Sequence, residues 1–414
     1  MRILHLIDPA APGGGPCTLK LLAETLTRVG GRHDVLIVGT TDHLALARRC
    51  GLKPLGRIRA ALNRPGLARA AIRRVLLHRE RHGGRYDLIH GWTLSAAASV
   101  VRMKPKHPVL ASAAAGSRTS GRDLRLIAGR GVPVLAATTA TRDRLLGSAY
   151  PRDLVTVLPP AVDPASVAME QRRLLRESWG ADETTFVVAY FGEPGPTADG
   201  AHALLAAARA ALTGKDFRIV IEHRAAAPSK HVMLLRAGLA DLIVVDDRVA
   251  EPWRVAAGLD AACTLHRAPR RDDNRSPELP GPLLWAMAAG VPVIAEHRYA
   301  GDWLEEGSTG LVTDTGDSNR TAARLLDLFD DAARARRIGA AGKVLVTQRF
   351  APERFADRIA AAWEAVAGRR GIRQDQHIPD VVTVTRHATD VAAHASPGRG
   401  PPQADAKHGT TGDH

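Results

Sequence analysis

Short apolar or β-branched runs alternate along the chain with longer stretches in which apolar residues recur every three to four positions. Ile3–Ile7, Val35–Val38, Leu88–His90, Val109–Ser112, Val134–Ala137 and Val155–Leu158 read as strands. Thr18–Arg28, His43–Arg49, Leu67–Arg81 and Leu94–Met103 read as the amphipathic helices between them. Strands joined by helical crossovers pair in parallel, so this half predicts a doubly wound sheet. Periodicity breaks at Pro159–Pro164 and then restarts. Phe186–Phe191, Phe217–Glu222, Leu242–Val245, Ala262–Leu265, Val291–Ala295 and Leu311–Thr313 form a second set of strands. The final strong helix is Pro352–Ala367, with Phe355 and Trp363 on its apolar side. Beyond it, residues 370–414 are rich in Gly, Pro, Asp, His and Thr, which predicts a disordered tail. The histidines of that tail match no metal-ligand spacing, and no metal site is expected.

Composition narrows the class. At 414 residues, 45% hydrophobic and 24% charged, the chain fits two globular domains, which excludes a disordered, collagenous or disulfide-stapled protein. The formal charge of +14 is unevenly placed. Residues 1–165 hold 26 basic and 10 acidic side chains, and the remainder hold 31 and 33. A one-sided field of this kind draws anionic partners to one surface: an acidic acceptor, an anionic membrane face or nucleic acid. Nucleic acid is the weakest of these, because aromatics are only 4% of the chain and no nucleic-acid motif is present. Within the basic half, Pro65–Arg85 sets Arg69, Arg73, Arg74, Arg79, Arg81 and Arg85 beside a stripe of Leu67, Ala71, Ile72, Val75 and Leu76. Such a helix either packs its stripe on the sheet or makes peripheral contact with an anionic membrane. Cys17, Cys50 and Cys263 are odd in number and widely spaced, which reads as a reducing compartment without structural disulfides. The six-residue apolar run near the start is too short for a signal-peptide core, and no stretch is long enough to span a bilayer. The expected location is cytoplasmic, with peripheral contact at the inner membrane face as the alternative.

Two features carry candidate chemistry on their own residues. Gly13, Gly14 and Gly15 fall between the first strand and first helix, where backbone amides approach an anion closely. The spacing is not GxGxxG, so a nicotinamide or flavin site is not implied. His90 ends the run Tyr86–His90 at the carboxyl edge of a strand, the ligand-binding edge of open α/β sheets. It is a candidate for proton transfer or for bonding a sugar hydroxyl, and Trp92 beside it for ring stacking.

The order of motifs resembles the retaining GT-B glycosyltransferases of group 1 (family 4-like). The matching runs are PGGGPCTLKLLAETLTRVGGRHDVLIVG, YDLIHGW, VTVLPPAVD, FVVAYFGEP, PGPLLWAMAAGVPVIAE and GSTGLVTDTGD. The resemblance spans residues 1–368, and its most specific stretch is 281–317. It implies two Rossmann-like domains facing a cleft: an acceptor domain over 1–165 and a nucleotide-sugar domain over 166–350. A helix over 351–369 would cross back to the first domain. It also implies a nucleotide diphosphate-sugar as substrate with no tightly bound cofactor, and an acceptor of unknown kind, anionic or lipid-linked in keeping with the basic first half. With the resemblance, the candidate donor contacts are Gly13, Gly14, Gly15, Gly192, Pro282 and Asp302, with Arg275 as an alternative contact beside the changed pattern and Trp285 as a stacking candidate. His90 and Glu278 then stand nearest the chemistry.

Several polar positions of the family pattern are changed. The Glu-x7-Glu pair becomes Pro277 and Trp285, with Glu278 one residue out of register. The family's diphosphate-neutralising Arg and Lys become Glu193 and Asp199, and its sugar-contacting His falls on Ala113–Ala115. Two functions follow. The first is transfer of a sugar from a nucleotide diphosphate-sugar to an acceptor with retention. The alternative is a catalytically degenerate GT-B module that binds a saccharide, a lipid phosphate or a partner protein.

Overall fold

The computed structural model describes residues 1–10, 15–58, 65–114, 120–191, 214–222, 242–264, 281–296, 303–314 and 317–368. The chain divides into two compact units, Met1–Val381 and Val382–His414, and both sheets belong to the first. The tail expected over 370–414 lies outside the described residues.

The first sheet has seven parallel strands: β1 (Arg2–Ile7), β2 (Arg32–Val38), β3 (Gly56–Ile58), β4 (Leu88–Gly91), β5 (Val109–Ala113), β6 (Val134–Ala136) and β7 (Val155–Val157). Their spatial order is β3-β2-β1-β4-β5-β6-β7. The second has six: β8 (Phe186–Tyr190), β9 (Phe217–Ile221), β10 (Ile243–Val245), β11 (Ala261–Thr264), β12 (Val293–Glu296) and β13 (Leu311–Thr313). Their order is β10-β9-β8-β11-β12-β13, again all parallel. In each sheet the order reverses once, between β1 and β4 and between β8 and β11. Crevices for ligands open at such reversals, outside the strands' carboxyl ends.

Burial on both faces explains the strand sequences. In β1, Ile3 and Ile7 enter one apolar cluster while Leu4 and Leu6 enter another on the opposite face. A parallel strand covered on both sides has no polar face to show, so it reads as a continuous apolar run. Helices α1 (Pro16–Arg28), α2 (Thr41–Arg49), α3 (Pro65–Gly83), α4 (Leu94–Val101), α5 (Gly121–Ala128) and α6 (Thr139–Gly147) connect the first sheet. Four of them start on a side-chain hydroxyl, from Thr40, Thr93, Ser120 and Thr138, which accepts a first-turn amide. Each such cap is worth about 1 kcal/mol. Helix α7 (Arg172–Ser178) precedes the second sheet, and α8 (Gly281–Ala288), α9 (Ser318–Asp330) and α10 (Ala332–Arg349) pack around it.

The last helix, α11 (Pro352–Gly368), packs on α1 and against β4 and β5 of the first sheet. Its Phe355, Ile359, Trp363 and Val366 are buried. One apolar cluster includes these residues, Leu19 and Leu22 of α1, and Leu283 to Ala288 of α8 in the second sheet's layer. Ion pairs add further links: Arg49 of α2 with Glu251 at 3.2 Å, and Arg28 of α1 with Asp163 at 2.6 Å and with Glu353 of α11 at 3.3 Å. Among the described residues no helix is long and apolar enough to cross a membrane.

Candidate functional site

At the reversal of the first sheet, β1 ends in Asp8, which is buried and accepts the Ala10 amide at 2.9 Å. The loop that follows delivers Gly15 as the N-cap of α1, with Pro16 in the first turn and no side chain capping the helix. Proline suits that position because its missing N–H would be unpaired there anyway. A Cβ at Gly15 would meet none of the described residues within 4 Å. Helix α8 begins beside it. A Cβ on Gly281 would lie 3.2 Å from Cys17 Cβ and 3.3 Å from Cys17 Sγ.

The N-terminal turns of α1 and α8 therefore touch. Each carries the equivalent of about half a positive charge from aligned peptide dipoles and presents amides without helical acceptors. Two such ends in contact make an anion-favouring notch that requires no basic side chain. Burial pushes the Cys17 thiol up to about 12, so it remains a neutral, uncharged wall of that notch. Pro282 lies within this first turn, half-buried. Trp285 does not face the notch. It is 1% exposed, and its ring lies 5.5 Å from that of Trp253 in the core. Leu283 through Ala288 are all buried, and a helix buried on every side needs no polar stripe.

His90 lies elsewhere. The parallel register of β1 and β4 puts it directly opposite His5, and both are fully buried beneath α11. The Trp363 indole N–H donates to His90 Nδ1 at 3.2 Å, and His90 Nε2 meets Ser112 Oγ at 2.9 Å. A second chain runs alongside it. The Trp92 N–H donates to His5 Nδ1 at 3.1 Å, His5 Nε2 meets His33 Nδ1 at 3.0 Å, and His33 Nε2 meets the Gly30 carbonyl at 3.2 Å. Indole nitrogen only donates, so both acceptor Nδ1 atoms are unprotonated. Each neutral ring then keeps its proton on Nε2, and the two chains close without a misplaced hydrogen. His90 thus has both ring nitrogens engaged by protein groups and offers neither to a ligand.

Burial lowers the affinity of these rings for protons. His90 is held at about 3, His5 is driven well below its ordinary value by burial and then by His90 and His33, and His33 is lowered by burial. An unfolded histidine binds its proton near 6.5, so on acidification the unfolded chain takes up a proton that the folded chain refuses. The stability associated with His90 is complete above about pH 6.5 and falls by about 1.4 kcal/mol per unit towards pH 3. Between pH 6.5 and 5 His90 alone is expected to remove about 2 kcal/mol, with His5 and His33 acting in the same direction. Urea unfolding at pH 7, 6 and 5 reads this slope, and a flat profile would contradict neutral, buried rings.

Of the other residues singled out in the sequence, Gly13, Gly14, Gly192, Arg275, Glu278 and Asp302 lie outside the described residues, as do Glu193, Asp199 and Pro277. Sequence reasoning passed over two buried carboxylates at strand ends, Asp8 after β1 and Glu296 at the end of β12. Both sit inside or against apolar runs, where the only signal was a charged residue terminating the run. In α3, Ile72 and Leu76 are buried in the core of the first sheet, with Ala71 and Val75 packed against it. Arg73, Arg74 and Arg81 are exposed, and so is Leu77, at 44%, a large apolar side chain on the outer face.

This architecture, two parallel Rossmann-like sheets with a crossing terminal helix, is the GT-B fold. Residues 185–331 match the family described as Glycosyl transferases group 1. Anabaena Alr3699/HepE in complex with UDP-glucose is similar at TM-score 0.70 and 18% identity, over 88% of this chain and 100% of that one. Sucrose-phosphate synthase from Thermosynechococcus elongatus is similar at TM-score 0.66 and 16% identity, over 89% and 100%. A glycosyltransferase from Rickettsia africae is similar at TM-score 0.66 and 14% identity, over 88% and 98%. At such identities the likeness is one of fold. No curated protein matches the chain.

Proposed function

We propose that the chain transfers a sugar from a UDP-sugar to an acceptor with retention of configuration, holding the diphosphate in the notch between α1 and α8. The observation that carries this reading is the contact of the two helix N-termini at Gly281 and Cys17. HepE, a protein of the same fold, is named in complex with UDP and with UDP-glucose, which directs the choice of nucleotide. Charge builds on the leaving diphosphate as the glycosidic bond breaks, so oriented amides and dipoles that meet it lower the barrier without covalent chemistry. With Glu193 and Asp199 in place of basic residues, the helix ends bear more of that charge. The Gly13–Gly15 loop, Gly192, Arg275, Pro282 and Asp302 complete the donor pocket in this reading, and Glu278 stands nearest the reacting carbon. His90 we assign to holding α11 on the first sheet, and Trp285 to seating α8. The three thiols, free in the structure, fit a cytoplasmic setting. Contact of α3 with an anionic acceptor or membrane face rests on its outward arginines, because its apolar stripe is already in the core.

The degenerate-module reading is favoured by Trp285 itself. It buries an indole where the resembled family opens its helix with glutamate, so that carboxylate is replaced by core packing. A thermal-shift series on the full chain with UDP, GDP, ADP and their glucose conjugates, with and without Mg²⁺, separates the two. Sugar transfer predicts stabilisation by UDP and UDP-glucose, about 2.7 kcal/mol at a hundredfold excess over Kd. No shift at millimolar nucleotide would overturn transfer and leave the binding module. The anomeric configuration of a transferred sugar, read by NMR, tests retention.

A further inference from the structure

A second concavity lies at the opposite edge of the first sheet from the notch. It is a cavity of about 280 Å³ formed where β5 and β6 begin, beside the turn that ends α4 and the last turns of α11. Its floor is apolar, with Val101, Val109, Val132 and Val366 all buried. Its rim is cationic: Lys104 and Arg130 line it and are exposed, and no carboxylate lines it. Among the described residues neither cation is in an ion pair, whereas Arg2, Arg28 and Arg102 each hold one.

The backbone supplies an independent observation. Lys104 closes the turn after α4 in the left-handed region, at φ 51, with its amide bonded to the Val101 carbonyl at 3.0 Å. The facing wall turns at Gly131, φ 61, where glycine takes that conformation without strain. Lysine in the same conformation is strained, because its Cβ crowds the following carbonyl. The strained residue is the one that sets an exposed cation on the rim of the cavity, and strain kept at such a place points to a use for the side chain.

We propose that this cavity binds a small organic phosphate, a phosphomonoester on a compact apolar body. The volume falls just below that of drug-sized pockets and suits a fragment of about ten non-hydrogen atoms. Two unpaired cations of different shape match one dianion: Arg130 as a planar fork and Lys104 as a point charge. The valine floor takes the ester's body, which distinguishes the ligand from free phosphate. The site is separate from the notch and does not depend on the reading of that notch.

The test is isothermal titration of the full chain with benzyl phosphate, with inorganic phosphate and benzyl alcohol as comparators. Hydrogen exchange at residues 101–109 and 130–133 locates the binding. The proposal expects saturable binding of benzyl phosphate with Kd on the order of 1 mM or tighter, at least about tenfold tighter than either comparator. Arg130→Gln and Lys104→Gly are each expected to weaken it about tenfold or more, the loss of one charge-assisted contact. Lys104→Gly is also expected to raise Tm by a few degrees, because it relieves the left-handed strain. Equal affinity for inorganic phosphate would overturn the assignment in favour of a bare cationic patch, and equal affinity for benzyl alcohol would overturn the role of charge. Absence of saturable binding, or binding that both variants retain, would overturn the site.

Discussion

Replacing Trp363 by alanine is expected to remove about 3–5 kcal/mol of folding stability, the usual range for emptying a buried tryptophan site. Trp363 is 1% exposed, and its indole lies 5.2 Å from the His5 ring and 5.4 Å from the His33 ring. Its N–H is also the donor that fixes the His90 tautomer. Trp363→Phe keeps most of the packing and deletes that donor, leaving His90 Nδ1 without its partner, and is expected to cost about 1–3 kcal/mol. The two variants differ in a second readout. With Nδ1 released, the folded His90 accepts a proton more readily, so the loss of stability below pH 6.5 becomes shallower in Trp363→Phe. Urea titrations at pH 7 and pH 5 measure both effects. A change under about 1 kcal/mol in Trp363→Ala would mean that α11 is held to the first sheet by something else.

Gly339→Ala is expected to cost about 3 kcal/mol and to weaken nucleotide binding with it. Gly339 on α10 faces the end of α8 so closely that an added Cβ would overlap the Gly290 carbonyl oxygen. That Cβ would also stand 2.9 Å from the Gly290 carbon and 3.3 Å from Pro292 Cδ. These contacts are backbone and ring atoms with no rotamer to escape into, so the helices must separate, and overpacking of this kind costs up to 3 kcal/mol or more. Gly342→Ala, one turn along, meets the Thr309 carbonyl oxygen at 3.1 Å and the flexible end of Met287 at 3.3 Å. It is expected to cost about 1 kcal/mol, since the methionine yields. Denaturant midpoints of both variants, with UDP affinity alongside, check the pair. Equal stability of the two would contradict the close α8–α10 seat on which the position of the notch depends.

Much of the scaffold was legible because burial on both faces makes a parallel strand a continuous apolar run. Twelve of the thirteen strands among the described residues are apparent in that pattern. The exception, β3, is Gly56–Ile58, an edge strand whose three residues contain one apolar side chain and no alternation. Strand β2 begins three residues before its apolar run because Asp34 accepts bonds from Arg2 and the Tyr86 hydroxyl, which makes a polar residue welcome inside the sheet. The site was harder to read. His90 was singled out for its place at a strand end, yet its environment is set by His5 across the sheet and by Trp363, 273 residues away, and neither relation leaves a local signal. Asp8 and Glu296 are charged residues closing apolar runs, a pattern shared with ordinary strand ends. The notch itself is a matter of two helix ends meeting, and only the glycines that permit the approach are visible in the sequence.

The most direct measurement is the affinity of the full chain for UDP compared with uridine, by isothermal titration at fixed salt. If the helix ends of α1 and α8 hold the diphosphate, UDP is expected to bind at least about a hundredfold more tightly, the worth of two charge-assisted contacts. Equal affinity for the two, or binding of neither, would contradict a diphosphate site in the notch.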